Sequence, residues 1–135
     1  MSLETFTDWV LALPKADQDM PYMDIEGTMY SPRQLLKEAQ KDTPIGKKAL
    51  QLFAAGKFVG SPAGVSRREL AIERIKLRYG QLDPEKPVFF VLRTGDTQVM
   101  PKEIIDAVEA KTDFGEEIIR MEEEYLDYLK QLKRR

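Results

Sequence analysis

The 135-residue sequence contains no cysteine and no histidine. Those two absences exclude thiol nucleophiles, Ser-His-Asp triads, zinc sites built on thiolate or imidazole, and haem or iron–sulfur ligation through those residues. General acid–base chemistry is left to Asp, Glu, Lys or Tyr, and a metal would find only oxygen ligands. A disulfide scaffold is excluded as well. Long apolar runs are also missing. No stretch approaches the roughly 20 residues of a membrane span, and residues 1–18 carry acids early, without a signal-peptide core. The expected location is the cytoplasm. The formal net charge of -2 provides no basic excess for general polyanion binding, although a local basic patch stays open.

What is present is the material of one globular domain over residues 1–135, a length at which a single core can form without staples. Leu3, Phe6, Val10 and Leu13 follow helical spacing, with Trp9 beside them, and Pro14 closes that helix. Lys15–Pro21 reads as a polar connector. Tyr22–Tyr30 reads as a small hairpin turning at Gly27. Ser31-Pro32 followed by Gln34 is a capping box with proline at N1, and it predicts a helix to about Asp42. Thr43-Pro44 repeats the start signal and predicts a second helix to about Ala55, with Gly56 after it.

Lys57–Val65 is loop-like. Ser66-Arg67-Arg68-Glu69 is another capping box and opens a helix that runs to Gly80, with Leu70, Ile72, Ile75 and Tyr79 as its inner side. Val88–Leu92 is an unbroken run of β-formers, so a strand buried on both faces is expected. Thr94–Asp96 is a turn, and Thr97–Val99 returns as a partner strand. Pro101 opens a helix to about Lys111. Asp113-x-x-Glu116 opens a long C-terminal helix over about residues 114–133.

Displaced by 69 residues, Pro32, Thr43 and Gly46 fall on Pro101, Thr112 and Gly115 without a gap. Ile45 falls on Phe114, Leu50 on Ile119 and Leu52 on Met121. With a one-residue gap, Gly27 also falls on Gly95. Capping explains the prolines and threonines. It does not explain a glycine in the first turn of both second helices, where glycine costs about 1 kcal/mol against alanine. The recurrence implies a packing need, such as close approach of the preceding helix. The expected fold is therefore a predominantly helical α+β domain. A small antiparallel sheet would join two diverged copies of a hairpin–helix–helix unit, at about 22–56 and 88–122, with the two hairpins sharing that sheet.

Four functional readings follow. In the last helix Ile118, Met121, Tyr125, Tyr128 and Leu132 are spaced as a heptad seam, Ile119, Leu126 and Leu129 widen its apolar side, and the end is basic. Such a helix either lies across its own core or projects to meet another chain. Tyr125, Tyr128, Leu132, Arg134 and Arg135 are the expected partner contacts, since tyrosine combines contact area with a polar tip. Gly60, Ser66, Arg67 and Arg68 form a weaker candidate anion site at a helix start, without a P-loop pattern. Arg67, Arg68, Arg74, Lys76 and Arg78 crowd one helix, which suits a nucleic-acid-binding regulator. Asp24, Glu26 and Asp96 would converge on a magnesium ion if the hairpins met. The leading expectation is a non-enzymatic interaction or adaptor protein. It would present helix surfaces to a protein partner or to itself, with no cofactor and no membrane contact. The nucleic-acid regulator is the alternative, and a small carboxylate or magnesium-dependent enzyme comes third.

Overall fold

The computed structural model describes residues 3–56, 66–92 and 95–132. The chain is a mostly helical α+β protein. In order it forms α1 (Leu3–Ala12), α2 (Lys15–Gln18), β1 (Met23–Ile25), β2 (Thr28–Tyr30), α3 (Pro32–Gln40), α4 (Pro44–Ala54), α5 (Arg67–Gly80), β3 (Val88–Leu92), β4 (Gly95–Val99), α6 (Pro101–Ala110) and α7 (Asp113–Lys130). The start signals hold in part. Ser31 forms a full capping box. Ser66 caps α5 without the return bond from Glu69. Thr112 caps α7, so that Asp113 is its first helical residue and opens no box with Glu116. Ser31 Oγ accepts from the Gln34 N–H while Gln34 Oε1 accepts from the Ser31 N–H. Ser66 Oγ accepts from the Glu69 N–H. Each bond satisfies a donor that a helix start otherwise leaves open.

The connector expected at Lys15–Pro21 contains instead the single-turn helix α2. Pro14 stands at its N-cap, where its carbonyl accepts from the Asp17 and Gln18 N–H groups, and Asp17 anchors the turn from the inside, as described below.

The β structure differs from expectation in two ways. The hairpins do not share a sheet: β1 pairs only with β2 and β3 only with β4, both antiparallel. Nor is β3 buried on both faces. Phe90 is buried, whereas Phe89 is 62% and Val91 72% exposed. A two-stranded hairpin laid on helices is covered on one side, so its residues alternate between core and solvent. The first turn uses Glu26 at φ 54 and Gly27 at φ 86, the left-handed pair of a two-residue hairpin loop. Gly27 and Gly95 are not equivalent, because Gly95 opens β4 opposite Leu92. The better match is at the strand ends, where Tyr30 and Val99 each stop just short of a helix-opening proline.

The two helix corners match in detail. Thr43 Oγ1 accepts from the Gly46 N–H at 3.1 Å, and Thr112 Oγ1 from the Gly115 N–H at 3.0 Å. The Thr43 N–H donates to the Glu38 carbonyl and the Thr112 N–H to the Ala107 carbonyl, both at 3.2 Å. Asp42 and Lys111, which precede these threonines, both sit at φ 57. A Cβ on Gly46 would lie within 3.0 Å of Glu38 and Ala39 backbone atoms, and one on Gly115 within 3.0 Å of Ala107 and Val108. Close approach of the preceding helix is therefore what both glycines allow. The inner positions correspond too: Leu35, Ala39 and Ala49 are buried, as are Ile104, Val108 and Ile118.

One apolar cluster joins both halves, from Phe6, Trp9 and Tyr22 through Leu35 and Ile75 to Ile104, Ile119, Leu126 and Leu129. Among the described residues, no helix is long and apolar enough to cross a membrane.

Candidate interaction face on the last helix

The geometry of α7 decides which residues are available for contact. Its inner stripe is Gly115, Ile118, Ile119, Glu122, Leu126 and Leu129. The expected heptad seam is the edge of that stripe: Ile118 is buried, Met121, Tyr125 and Leu132 are partly covered, and Tyr128 is 55% exposed. The distal half of α7 lies on its own core and is tied there. Trp9 Nε1 donates to the Leu129 carbonyl at 2.9 Å, and the Tyr22 hydroxyl donates to the Leu126 carbonyl at 3.2 Å. Arg67 bonds both the Glu123 carbonyl and the Asp127 carboxylate.

Beside the tyrosines lies a buried ionic knot that spacing along the chain does not reveal. Arg74, on α5, is fully buried. Its guanidinium donates to Glu122 Oε2 at 3.0 Å, to the Pro21 carbonyl at 2.9 Å and to Asp17 Oδ1. Arg78, one turn on, donates to Glu122 Oε1 and reaches Asp17 Oδ1 at 3.4 Å. The Tyr125 hydroxyl donates to Asp17 Oδ2 at 2.6 Å. Two arginines thus balance two carboxylates, and each carboxylate oxygen accepts at least one bond. That compensation is what makes burial of Asp17, Arg74 and Glu122 tolerable, with Arg78 reaching in from a partly exposed position. Burial, then the bond to Asp17, pushes the Tyr125 phenol well above its ordinary range, so it stays a donor. Burial likewise raises Tyr22 and Tyr79. For Arg78, burial works against the charge, but Glu122 and Asp17 outweigh it and the net shift is upward.

Above the knot is a cleft of about 270 Å³ lined by Arg78, Tyr79, Phe90, Ile118, Met121, Glu122 and Tyr125. Arg78 lies over the Tyr125 ring at 5.3 Å, and the Tyr128 ring stacks on Tyr125 at 6.1 Å between centroids. Its lining combines apolar Phe90, Ile118 and Met121, the rings of Tyr79 and Tyr125, and the Arg78–Glu122 ion pair. Its volume is below the roughly 300–1,000 Å³ of small-molecule sites and suits one large side chain. Tyr128 is the exposed end of this array.

The other expected residues fall as follows. Leu132 packs partly against the core, while Arg134 and Arg135 lie outside the described residues. Gly60 also lies outside them. Ser66 is spent as the α5 cap. Arg68 makes a two-pronged ion pair with Glu116, which raises the arginine and holds the Glu116 carboxyl below its usual range. Lys76 pairs with Glu73 and Glu109. The basic residues expected to crowd α5 are therefore engaged with acids of the same fold. The carboxylates Asp24, Glu26 and Asp96 do not assemble. Among the described residues, no group of three or more acids is placed to hold a metal. Asp24 is 2% exposed, and neither of its carboxylate oxygens has a hydrogen-bond partner.

Comparison with protein-family models, with curated proteins and with solved structures found no match.

Proposed function

We propose that this is a non-enzymatic interaction protein that receives a partner protein on the Tyr125–Tyr128 edge of α7. The observation that carries this reading is the exposed Tyr128 ring stacked on Tyr125, which itself lines a cleft together with Phe90, Ile118 and Met121. Tyrosine, arginine and methionine are the residues enriched at interface centres, and a pocket of one-side-chain size suits an anchor residue from the partner. The scaffold beneath it we read as two diverged copies of a hairpin–helix–helix unit within a single domain. The matched threonine caps, left-handed corner residues and close-approach glycines support that reading.

The nucleic-acid alternative has less support, because Arg67, Arg68, Arg74 and Arg78 already bond acids of α2 and α7. Binding that weakens steeply with salt would favour it.

The test is affinity capture with the full chain as bait, followed by mass spectrometry, beside baits carrying Tyr128→Ala and Met121→Trp. Both substitutions sit at the face, the first removing the exposed ring and the second filling the cleft. A partner held by the wild-type bait and lost from both variants supports the proposal. A partner retained by both variants overturns this location.

A further inference from the structure

Phe90 turns the inner face of the β3–β4 hairpin to the α7 cleft, and the outer edge of β3 raises a separate question, namely what covers it. Leu92 stands opposite Gly95 across a two-residue connection. In such a hairpin the closing pair is hydrogen-bonded and pairs alternate from there. Leu92–Gly95, Phe90–Thr97 and Val88–Val99 are thus the bonded pairs, and the backbone N–H and C=O of Phe89 and Val91 point away from β4. Among the described residues, no backbone hydrogen bond from outside the hairpin reaches Val88–Leu92. The same two residues expose their side chains, at 62% and 72%.

An occupant of this edge must supply a row of N–H and C=O groups. That requirement selects an extended strand over a helix or a small ligand. β1 and β4 are poorer docking edges. β1 is buried throughout, and β4 shows Asp96 and Gln98 to solvent, the kind of polar guard that blunts an edge. Val88–Leu92 has no charge, no proline and no glycine.

We propose that β3 pairs antiparallel with β3 of a second copy of this chain, about a two-fold axis through Phe90, to make one four-stranded sheet. This register sets Phe89 opposite Val91 of the other copy, twice. Both of these residues direct their backbone groups outward, so all of those groups on both chains are used in four hydrogen bonds. Each contact is an aromatic against a β-branched side chain, a favourable cross-strand pair. No charge meets a like charge, because the strand carries none. The contact is self-complementary, so it closes at two chains.

The test measures the mass of the full chain by light scattering during size-exclusion chromatography, over a range of concentrations. Twice the 15.5 kDa of one chain is expected at high concentration. Val91→Pro removes an N–H that faces the partner while leaving the ladder to β4 intact. The double change Phe89→Lys with Val91→Lys sets lysine against lysine across the axis. Both should be monomers with wild-type circular dichroism. Hydrogen exchange on the wild-type chain gives a readout that needs no variant: the Phe89 and Val91 amides should become protected as concentration rises. A wild-type mass of one chain at every concentration overturns the proposal. So does a dimer that survives both variants, or exchange at these two amides that does not change with concentration.

Discussion

The backbone of Gly115 passes so close to the carbonyl of Ala107 that no side chain fits between them, and Gly46 stands in the same relation to Glu38. The first consequence concerns these glycines. Gly46→Ala and Gly115→Ala should each destabilise by about 1–3 kcal/mol, the usual cost of forcing atoms into a packed contact. Gly80, at the end of α5, has nothing within 4 Å of its would-be Cβ, so Gly80→Ala should be neutral or gain up to about 1 kcal/mol. Urea denaturation of the three variants checks the contrast. Similar effects at all three would show that backbone entropy, not close approach, is what the glycines provide.

The ionic knot makes a larger prediction. Arg74→Met leaves Asp17 and Glu122 buried with Arg78 alone to compensate them, and should cost about 3–5 kcal/mol. Tyr125→Phe removes one bond to a charged group at a partly open rim and should cost roughly 1.5 kcal/mol. Tyr128→Ala removes a half-exposed ring stacked on Tyr125 and should cost no more than about 1 kcal/mol. A Tyr128→Ala bait that loses its partner would therefore lose it without unfolding.

Asp24 should show the opposite sign. Its carboxylate is buried and has no hydrogen-bond partner, and strands disfavour aspartate. Asp24→Val is expected to raise stability by about 1–3 kcal/mol. A loss of stability on chemical denaturation would mean that the carboxylate interacts favourably in solution.

Alkaline pH offers a fourth check. Tyr22, Tyr79 and Tyr125 all have raised folded-state values. A raised phenol contributes its full stabilisation below the unfolded value near 10, and loses it as pH climbs from there toward the folded value. Stability should therefore fall above about pH 10. Ultraviolet absorbance should show these three phenols ionising at higher pH than a free tyrosine while the chain stays folded. Ionisation of these three phenols near pH 10 in the folded protein would contradict the burial described here.

Much of the helical framework is readable from local chemistry, because a cap is a short-range event. Ser31, Thr43, Ser66 and Thr112 each bond an N–H three residues on, so sequence and structure agree at those starts. The close-approach role of Gly46 and Gly115 is legible for a different reason. A residue that costs helix stability twice, at matching positions, must be offset by packing. The knot is not legible. Arg74 reaches Asp17 across 57 positions and Glu122 across 48, and no periodicity carries that information. Glu122 also hides part of the inner face of α7 from a reading of the sequence. It sits in the middle of the buried stripe, so a search for apolar residues shifts the helix toward Met121 and Tyr125. Likewise, an unbroken apolar strand suggests cover on both faces, when Phe89 and Val91 in fact stand in solvent.

The bond from Trp9 to the carbonyl of Leu129 spans 120 positions, and it sets a schedule for folding during synthesis. A ribosome delivers the chain from the N-terminus at roughly 5–20 residues per second. Trp9, Asp17 and Tyr22 leave it long before their partners on α7 exist. The early helices can form, but their inward polar groups must wait in water, or in the company of a chaperone, until the last helix arrives. Completion of the core is then a late, long-range step, of the kind that slows folding. Any truncation that removes the end of α7 would strand the first helix along with the last.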